Sequence, residues 1–470
     1  MRAVLPLAFL ILQSVPAPPD RSAERTFASA VSEDRLRQDV RALVAFGARM
    51  GGTPSGDRAS GYLAEYFRTL GLPVETFTDN ATLTHWEERW RVELASGEAI
   101  ESAWPYGFSP SVAEPRAGRL VMAANLATPD PSWRGAVVYT PAEAGRAYRT
   151  VAASEFRPLA ILTSAPNASP RYLDWARIGE LPSSATNPIP VFGVSYLDGR
   201  TLASAAGRGD VRVSLVSHIQ QGAPKTVVAT LAGRESGKYY LVCAHGDSDS
   251  GGPGADDNAS GVATVMETAR VFAELTSSGA IPRPRYPIAF AIWGSEYKST
   301  KAYIERQGAG LANLLAVLNF DETGTGAERD AIYFESNEVP WNETLLRTLE
   351  AVAGDYAWQP GFWTEYTTNP SQGGTDSYAF LPRQYKGEGY TALQIPATTI
   401  YTAAWDHLAR VPQTPGWESK GTPSPATLEI DYSVYYHSAG DTPENTTERE
   451  PQNMVKAVKA AALALLRLDR

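Results

Sequence analysis

The chain contains little cysteine and little histidine, and both shortages narrow its possible chemistry. Of its 470 residues, one is cysteine and five are histidine. The single cysteine, Cys243, excludes an intrachain disulfide and any zinc site built from several thiolates. Because Cys243 lies within an apolar run, we predict that it is a buried structural thiol rather than a nucleophile.

Positive charge is also in short supply. The chain has 42 Lys and Arg residues against 52 Asp and Glu residues, so its formal net charge is −10. This balance argues against a nucleic-acid-binding protein, which needs basic patches to neutralise phosphates. It argues equally against electrostatic docking on anionic lipid.

Long apolar runs are missing except at the N-terminus. After Met1 and Arg2, residues 3–15 are almost wholly apolar, which is typical of a secretory signal and too short to span a bilayer comfortably. We therefore predict a signal peptide over residues 1–22 and a secreted or periplasmic protein, with no membrane insertion after signal removal. A buried N-terminal helix is the alternative. The lack of disulfides does not contradict export of a bacterial protein.

The length of the chain predicts two or three domains. Residues 23–117 include helical spacing of apolar residues within Ser32–Leu72, and we predict that they form the N-terminal part of the main domain. Residues 118–216 alternate short β-branched runs with turns rich in Gly and Pro, which predicts a smaller, strand-rich inserted domain. Residues 217–470 are predicted to form the rest of the main domain.

Apolar strands alternate with helices in residues 217–470. The strands are predicted at Lys238–Ala244, Pro287–Trp293 and Leu314–Phe320, and a helix at Ala259–Leu275. This alternation predicts an α/β fold with a mixed, mostly parallel sheet flanked by helices. In such sheets, ligands bind at the carboxyl ends of the strands.

Acidic and imidazole side chains follow these buried strands or lie in loops that could reach them. These residues are His245, Asp247, Asp257, Glu296, Asp321 and His437. Because parallel strands end at the same edge of a sheet, we expect these side chains to converge. Imidazole and carboxylate ligands without cysteine suit zinc or a related divalent ion.

Five motifs in the last half of the chain resemble, in order, the catalytic domain of the zinc aminopeptidase family (metallopeptidase family twenty-eight), secreted bacterial members included. Residues 118–216 resemble, more weakly, the protease-associated domain that is inserted in many of these enzymes. The five motifs are His245-Gly-Asp-Ser, Pro253–Gly261, Trp293-Gly-Ser-Glu, Asn319–Gly324 and Tyr436-His437 followed by Asp441-Thr442.

The resemblance implies a metallopeptidase that holds one or two Zn²⁺ ions. His245 and Asp321 would bind one ion, His437 would bind the other, and Asp257 would bridge them. The implied substrate is a peptide, from which N-terminal residues are removed. No nucleic acid partner is implied, and the oligomeric state is not indicated.

The resemblance also implies two catalytic roles. Glu296 would be the general base, taking a proton from a water activated by the metal and passing it to the leaving amine. Asp247 would orient the metal-bound imidazole of His245.

The sequence departs from the family pattern directly after Glu296, where the family has a second glutamate that binds metal and this chain has Tyr297. Three interpretations remain. The site holds one tight and one weak zinc, or Glu322 or Asp376 supplies the missing carboxylate, or Glu296 is itself a ligand. We favour Glu296 as the base, because the preceding strand defines its position.

Two functions of other classes stay open. A peptidase fold that has lost catalysis would serve as a binding scaffold and carry no stoichiometric zinc. A single-zinc acyltransferase related to glutaminyl cyclases would release ammonia from glutaminyl peptides.

Overall fold

The structure is a computed structural model of the chain. It describes residues 20–124, 126, 128–142, 144–166, 172–326, 330–336, 340–369, 375–380, 394–402 and 435–470. The predicted signal segment, residues 1–22, therefore lies almost entirely outside the described residues. Within the described ranges, no helix combines the length and the apolar character that crossing a bilayer requires.

The larger of two sheets has eight strands and carries the main core. In spatial order its strands are β1 (Val74–Thr78), β9 (Lys225–Leu231), β11 (Ile288–Trp293), β10 (Tyr239–His245), β12 (Leu314–Phe320), β15 (Ala397–Tyr401), β13 (Ala331–Glu335) and β14 (Glu365–Asn369). The pairs β11–β10, β10–β12, β12–β15 and β13–β14 are parallel, while β1–β9, β9–β11 and β15–β13 are antiparallel. The predicted mixed, mostly parallel sheet is confirmed.

Nine α-helices accompany the two sheets within the described ranges. They are α1 (Ser22–Ala30), α2 (Glu33–Val44), α3 (Pro54–Thr69), α4 (Ala144–Ala152), α5 (Tyr196–Ala205), α6 (Gly261–Ser277), α7 (Lys298–Gln307), α8 (Glu343–Tyr356) and α9 (Gln452–Leu468). Helix α3 begins where the sequence signals a start: the Thr53 hydroxyl accepts from the Gly56 amide, and Pro54 occupies the first helical position. Helices α6 and α9 pack against each other and are buried along most of their length.

The central strands are apolar on both faces because both faces are covered. In β10, Tyr240, Val242 and Ala244 join the core cluster under α6 and α9. Leu241 and Cys243 point to the opposite face and join a second cluster that includes residues of α7. Cys243 is fully buried and unbridged, which confirms the prediction of a structural thiol.

The second sheet has seven strands and contains the region that was predicted as an inserted domain. Its strands, in spatial order, are β2 (Thr82–Leu94), β8 (Asp210–Gly222), β4 (Val112–Met122), β5 (Val137–Thr140), β6 (Ala160–Thr163), β7 (Val191–Gly193) and β3 (Trp104–Pro105). Helices α4 and α5 contact its strands.

This sheet begins earlier in the chain than predicted. Residues 82–117, which were predicted to belong to the main domain, include β2, β3 and the first part of β4. Nothing in the sequence indicated this earlier start, because β2 is rich in charged residues and shows no apolar run. Its pairing with β8, from Thr82 opposite Gly222 to Leu94 opposite Val211, depends on a partner distant in sequence.

Candidate metal centre

The candidate site lies where three neighbouring parallel strands of the large sheet end. β10 ends at His245, which pairs in register with Trp293 at the end of β11. Glu296 follows β11 within three residues, and Asp321 directly follows β12. Parallel alignment therefore places an imidazole and two carboxyl groups at one edge of the sheet.

The four predicted metal ligands come together at this edge. His245 Nε2 lies 3.3 Å from Asp257 Oδ1 and 3.5 Å from Asp321 Oδ1. His437 Nε2 lies 3.4 Å from Asp257 Oδ2, so the two oxygens of Asp257 face different imidazoles. His245, Asp257 and Asp321 are buried, whereas the side chain of His437 is 32% exposed.

The donor set fits a zinc ion. Two ligands bonded at about 2.1 Å to a tetrahedral ion lie about 3.4 Å apart, close to the separations between these nitrogen and oxygen atoms. Each of His245, Asp257 and Asp321 offers one ligand atom, and these atoms lie within 4.8 Å of one another. Asp321 Oδ1 is buried and accepts no hydrogen bond of regular geometry from the described residues. A cation would satisfy this oxygen.

The directions of the pKa shifts at the site also indicate an excess of negative charge. Burial alone would lower the pKa of His245, but its contacts with the carboxylates of Asp247, Asp257 and Asp321 raise that pKa well above its usual value. Burial would raise the pKa of Asp257, and its contacts with His245 and His437 instead hold that pKa below the usual range. In the absence of metal, the imidazoles supply the positive charge that these carboxylates require.

Asp247 contacts both the ligand group and the candidate base. Its Oδ1 lies 3.2 Å from His245 Nδ1 and accepts a 3.0 Å hydrogen bond from the Glu296 amide. The backbone oxygen of Asp247 is a further 3.1 Å from His245 Nδ1. These contacts hold the imidazole through Nδ1 and leave Nε2 facing Asp257 and Asp321.

Glu296 lines the same cavity as the four ligand candidates. The cavity has a volume of about 300 Å³, and its wall includes His245, Asp257, Asp321 and His437. Burial and the nearby carboxyls raise the pKa of Glu296 well above its usual value, although the neighbouring His245 lowers it.

Tyr297 occupies the position where the family pattern has a second carboxylate. Its backbone has a φ of 51°, and its side chain packs against the apolar cluster that contains Trp293 and Tyr378. Among the described residues, the cavity wall includes Glu322 but neither Tyr297 nor Asp376. Asp376 lies behind the wall, where its Oδ1 accepts from the Tyr297 amide and the Thr300 hydroxyl. Of the two proposed replacements, Glu322 is the one that faces the cavity.

In the sequence, Asp441 was noted only as part of the motif that follows His437. In the structure, Asp441 Oδ1 accepts from the Asp256 amide at 2.7 Å and Oδ2 accepts from the Asp257 amide at 3.0 Å. Asp256 in turn accepts from the Gly324 amide and the Thr325 hydroxyl. Asp441 therefore holds the loop that presents Asp257, and its position after His437 gave no sign of this.

Arg49 was not singled out from the sequence either. It is buried and donates to the carbonyl oxygens of Gly246, Pro253 and Gly254. It thereby joins the loop after His245 to the loop before Asp257. The only sequence signal was its place in the Gly-rich segment before α3.

The second sheet also contributes to the site. The Ile178 amide donates to the His437 carbonyl at 3.1 Å, and the Ala439 amide donates to the Ala176 carbonyl at 2.9 Å. Glu180, two residues after Ile178, lines the cavity. The backbone around His437 is therefore held by a segment from the other sheet.

Comparison with known proteins agrees with this geometry. The sequence profile of Peptidase family M28 matches residues 226–462, about half of the chain and the part that carries every ligand candidate. The chain belongs to peptidase family M28.

Individual relatives are distant. Leucine aminopeptidase 2 from Trichophyton equinum is 26% identical over 273 residues, which cover 55% of this chain and 48% of the relative. The chain thus spans about half the length of the curated relatives it matches.

Solved structures extend the likeness of fold to nearly the whole chain. A Peptidase M28 precursor from Shewanella amazonensis superposes with a TM-score of 0.65 at 16% identity, covering 96% of this chain and 97% of that one. A zinc aminopeptidase from Bacillus subtilis superposes with a TM-score of 0.61 at 15% identity, covering 93% and 95%. At these identities the likeness establishes the fold.

Proposed function

We propose that this protein is a zinc-dependent peptidase that removes N-terminal residues from peptides. The observation that carries the proposal is the convergence of His245, Asp257, Asp321 and His437 on one cavity that Glu296 also lines. Membership of a peptidase family and similarity to leucine aminopeptidases support the same reaction.

In this proposal His245 and Asp321 would hold one zinc ion, and His437 would hold a second. Asp257 would contribute to both positions, since its Oδ1 faces His245 and its Oδ2 faces His437. Bound zinc supplies Lewis-acid chemistry, polarising the scissile carbonyl and making water a stronger acid. The second position has fewer carboxylates because Tyr297, which packs against the apolar cluster that contains Trp293, replaces the acidic residue of the family pattern, so we expect this position to bind zinc more weakly.

Glu296 acts as the general base. Its carboxylate lies at the cavity, where it accepts a proton from the attacking water and returns it to the leaving amine. Asp247 holds the Glu296 amide and the His245 ring together, so base and ligand keep their relative position.

The test combines metal analysis with Glu296→Gln. Wild-type protein is expected to retain at least one zinc per chain after exhaustive dialysis. We expect the variant to retain the same zinc while kcat on leucine p-nitroanilide falls by a factor of roughly 10² to 10⁴, the usual contribution of a general base. Glu305→Gln, an exposed change on α7, is the matched control and should leave kcat unchanged.

Each alternative makes a different prediction in the same experiment. If Glu296→Gln were as active as wild type, Glu296 would not be the general base. A protein without stoichiometric zinc would be the binding scaffold. Ammonia release from glutaminyl peptides without aminopeptidase activity would indicate the cyclase.

Export and the identity of the second sheet are also proposals. The apolar N-terminal segment supports secretion or a periplasmic location, and N-terminal sequencing of the exported protein would locate the cleavage site. We further propose that residues 82–222, which contain the second sheet, are the protease-associated-like unit.

A further inference from the structure

Among the described residues of the region that contains the second sheet, Glu180 is the one acidic residue in the cavity wall. Its backbone is held on both sides by Gly107, whose amide donates to the Gly179 carbonyl and whose carbonyl accepts from the Leu181 amide. Two residues earlier, Ile178 bonds to the backbone of His437. Two residues of extended chain reach at most about 7 Å, so Glu180 is held near the backbone of a ligand candidate.

A buried histidine fixes the side chain of Glu180. His85 Nε2 lies 3.0 Å from Glu180 Oε1, and His85 Nδ1 lies 3.0 Å from Glu87 Oε1. Burial alone would lower the pKa of His85, but its hydrogen bonds to Glu180 and Glu87 raise that pKa to about 9. At neutral pH one imidazolium therefore faces two carboxylates, and one negative charge remains uncompensated.

That remaining charge lies on the cavity side of the cluster. The side chain of Glu87 is 5% exposed, whereas the side chain of Glu180 is 39% exposed and lines the cavity. Lys298 lines the same wall, yet it forms no ion pair with Glu180. Glu180 is thus a carboxylate that is held in place by His85 and can accept a hydrogen bond from a cationic group entering the cavity.

We propose that Glu180 binds a protonated amine of the substrate's N-terminal residue. This inference rests on the proposed function and adds a specificity-determining residue to it. Tyr297 contributes no carboxylate to the cavity, so an acidic group from the second sheet supplies a charge that the end of β11 lacks. The amine is either the α-ammonium group or the side-chain ammonium of lysine, and the test separates the two.

The experiment measures binding by calorimetry to zinc-loaded protein that carries Glu296→Gln, so that L-leucinamide is bound without being hydrolysed, and it uses three probes. L-leucinamide carries only the α-ammonium group, N-acetyl-L-lysinamide carries only the side-chain ammonium, and N-acetyl-L-leucinamide carries neither. We expect Glu180→Gln, which keeps an acceptor for His85, to weaken binding of one charged probe about tenfold. Binding of the neutral probe should not change, and Glu180→Asp should restore part of the affinity.

The matched control is Glu88→Gln. Glu88 also contacts a histidine, with His218 Nε2 at 3.1 Å, but this pair is exposed and does not line the cavity. Affinity for all three probes should be unchanged in this variant.

The outcomes assign the amine or overturn the inference. Weaker binding of leucinamide alone identifies the α-ammonium group, and weaker binding of N-acetyl-lysinamide alone identifies the side chain. Equal loss for all three probes, or no loss for either charged probe, overturns the inference. Calorimetry does not require turnover, so a protein that binds amines through Glu180 but hydrolyses no peptide would contradict only the proposed function.

Discussion

Each sheet of the molecule carries a buried histidine surrounded by carboxylates, and the two histidines differ in the distances from their ring nitrogens to the carboxylate oxygens. In the second sheet, both ring nitrogens of His85 lie 3.0 Å from a glutamate oxygen. In the large sheet, His245 Nε2 lies 3.3 Å and 3.5 Å from oxygens of Asp257 and Asp321. The first set has the separation of a hydrogen bond, and the second has the separation of ligands around an ion.

The ratio of carboxylates to cations explains this difference. The His85 cluster holds one imidazole and two carboxylates, one of which is partly exposed and can be hydrated. The cavity at His245 gathers two imidazoles with several buried acidic groups, of which Asp321 Oδ1 lacks a regular hydrogen bond. A buried cluster with this many carboxylates requires a further positive charge, whereas the His85 cluster is stable without one.

The largest expected effect is on zinc content. His245→Ala should abolish tight zinc binding and lower kcat/KM at least about a thousandfold, because the ion would lose a first ligand and its activation of water. His85→Ala should keep its zinc, because its cluster is satisfied without metal. Mass spectrometry of metals in the folded, dialysed variants measures both, with exposed His218→Ala as the control. Zinc loss in His85→Ala would contradict the claim that the His85 cluster, unlike the cluster at His245, does not contribute to zinc binding.

The next effect is a pH dependence of stability that arises from His85. Because its pKa in the folded protein is raised to about 9 from 6.5, the stabilisation is fully present below pH 6.5 and is lost as pH rises through 9. We expect the unfolding free energy of wild type, relative to His85→Gln, to decrease by on the order of 3 kcal/mol over this range.

Urea unfolding of both proteins at several pH values, with equal zinc, measures this difference. Groups that titrate in both proteins cancel in the comparison. A difference that stays constant from pH 6 to 10 would show that His85 is neutral in the folded protein.

A smaller effect is expected at the loop that presents Asp257. In Asp441→Asn only one acceptor oxygen remains for two amides, so Asp257 should lose part of its fixed position. Loss of a residue that orients a ligand typically weakens metal binding 10- to 100-fold. Competition with a chelator measures the zinc affinity.

Asp469→Asn is the matched control for this variant. Asp469 also accepts from two consecutive amides, those of Arg285 and Tyr286, but away from the cavity. Its zinc affinity should match wild type, and an equal loss in both variants would point to a general effect on folding.

Local pattern predicted the buried strands well. The bounds of β12 agree with the predicted strand Leu314–Phe320, and β11 (Ile288–Trp293) begins one residue after the predicted Pro287. Both strands are almost wholly buried because both faces of the sheet are covered, so apolar residues occupy successive positions. By contrast, β2 and β4 were not recognised, because exposed charged residues occupy many of their positions.

The residues of the candidate site also fall into two groups, those that the sequence indicated and those that only the structure identified. His245, Glu296 and Asp321 could be found because each follows a recognisable strand, and Asp257 because it precedes a helix. Glu180, Arg49 and the role of Asp441 could not, because their importance depends on partners that are distant in sequence. The packing of Tyr297 against the apolar cluster that contains Trp293 also could not be predicted, because it depends on residues distant in sequence.

By itself, the sequence determined the alternation of strands and helices and the identity of the side chains at the strand ends, since burial imposes a regular apolar spacing on neighbouring residues. The tertiary structure alone decided that a segment of the second sheet supports His437 and places Glu180 in the cavity. A hydrogen bond between backbone segments that are distant in sequence imposes no periodic pattern on the residues that form it. Such contacts can therefore be identified only in the folded structure.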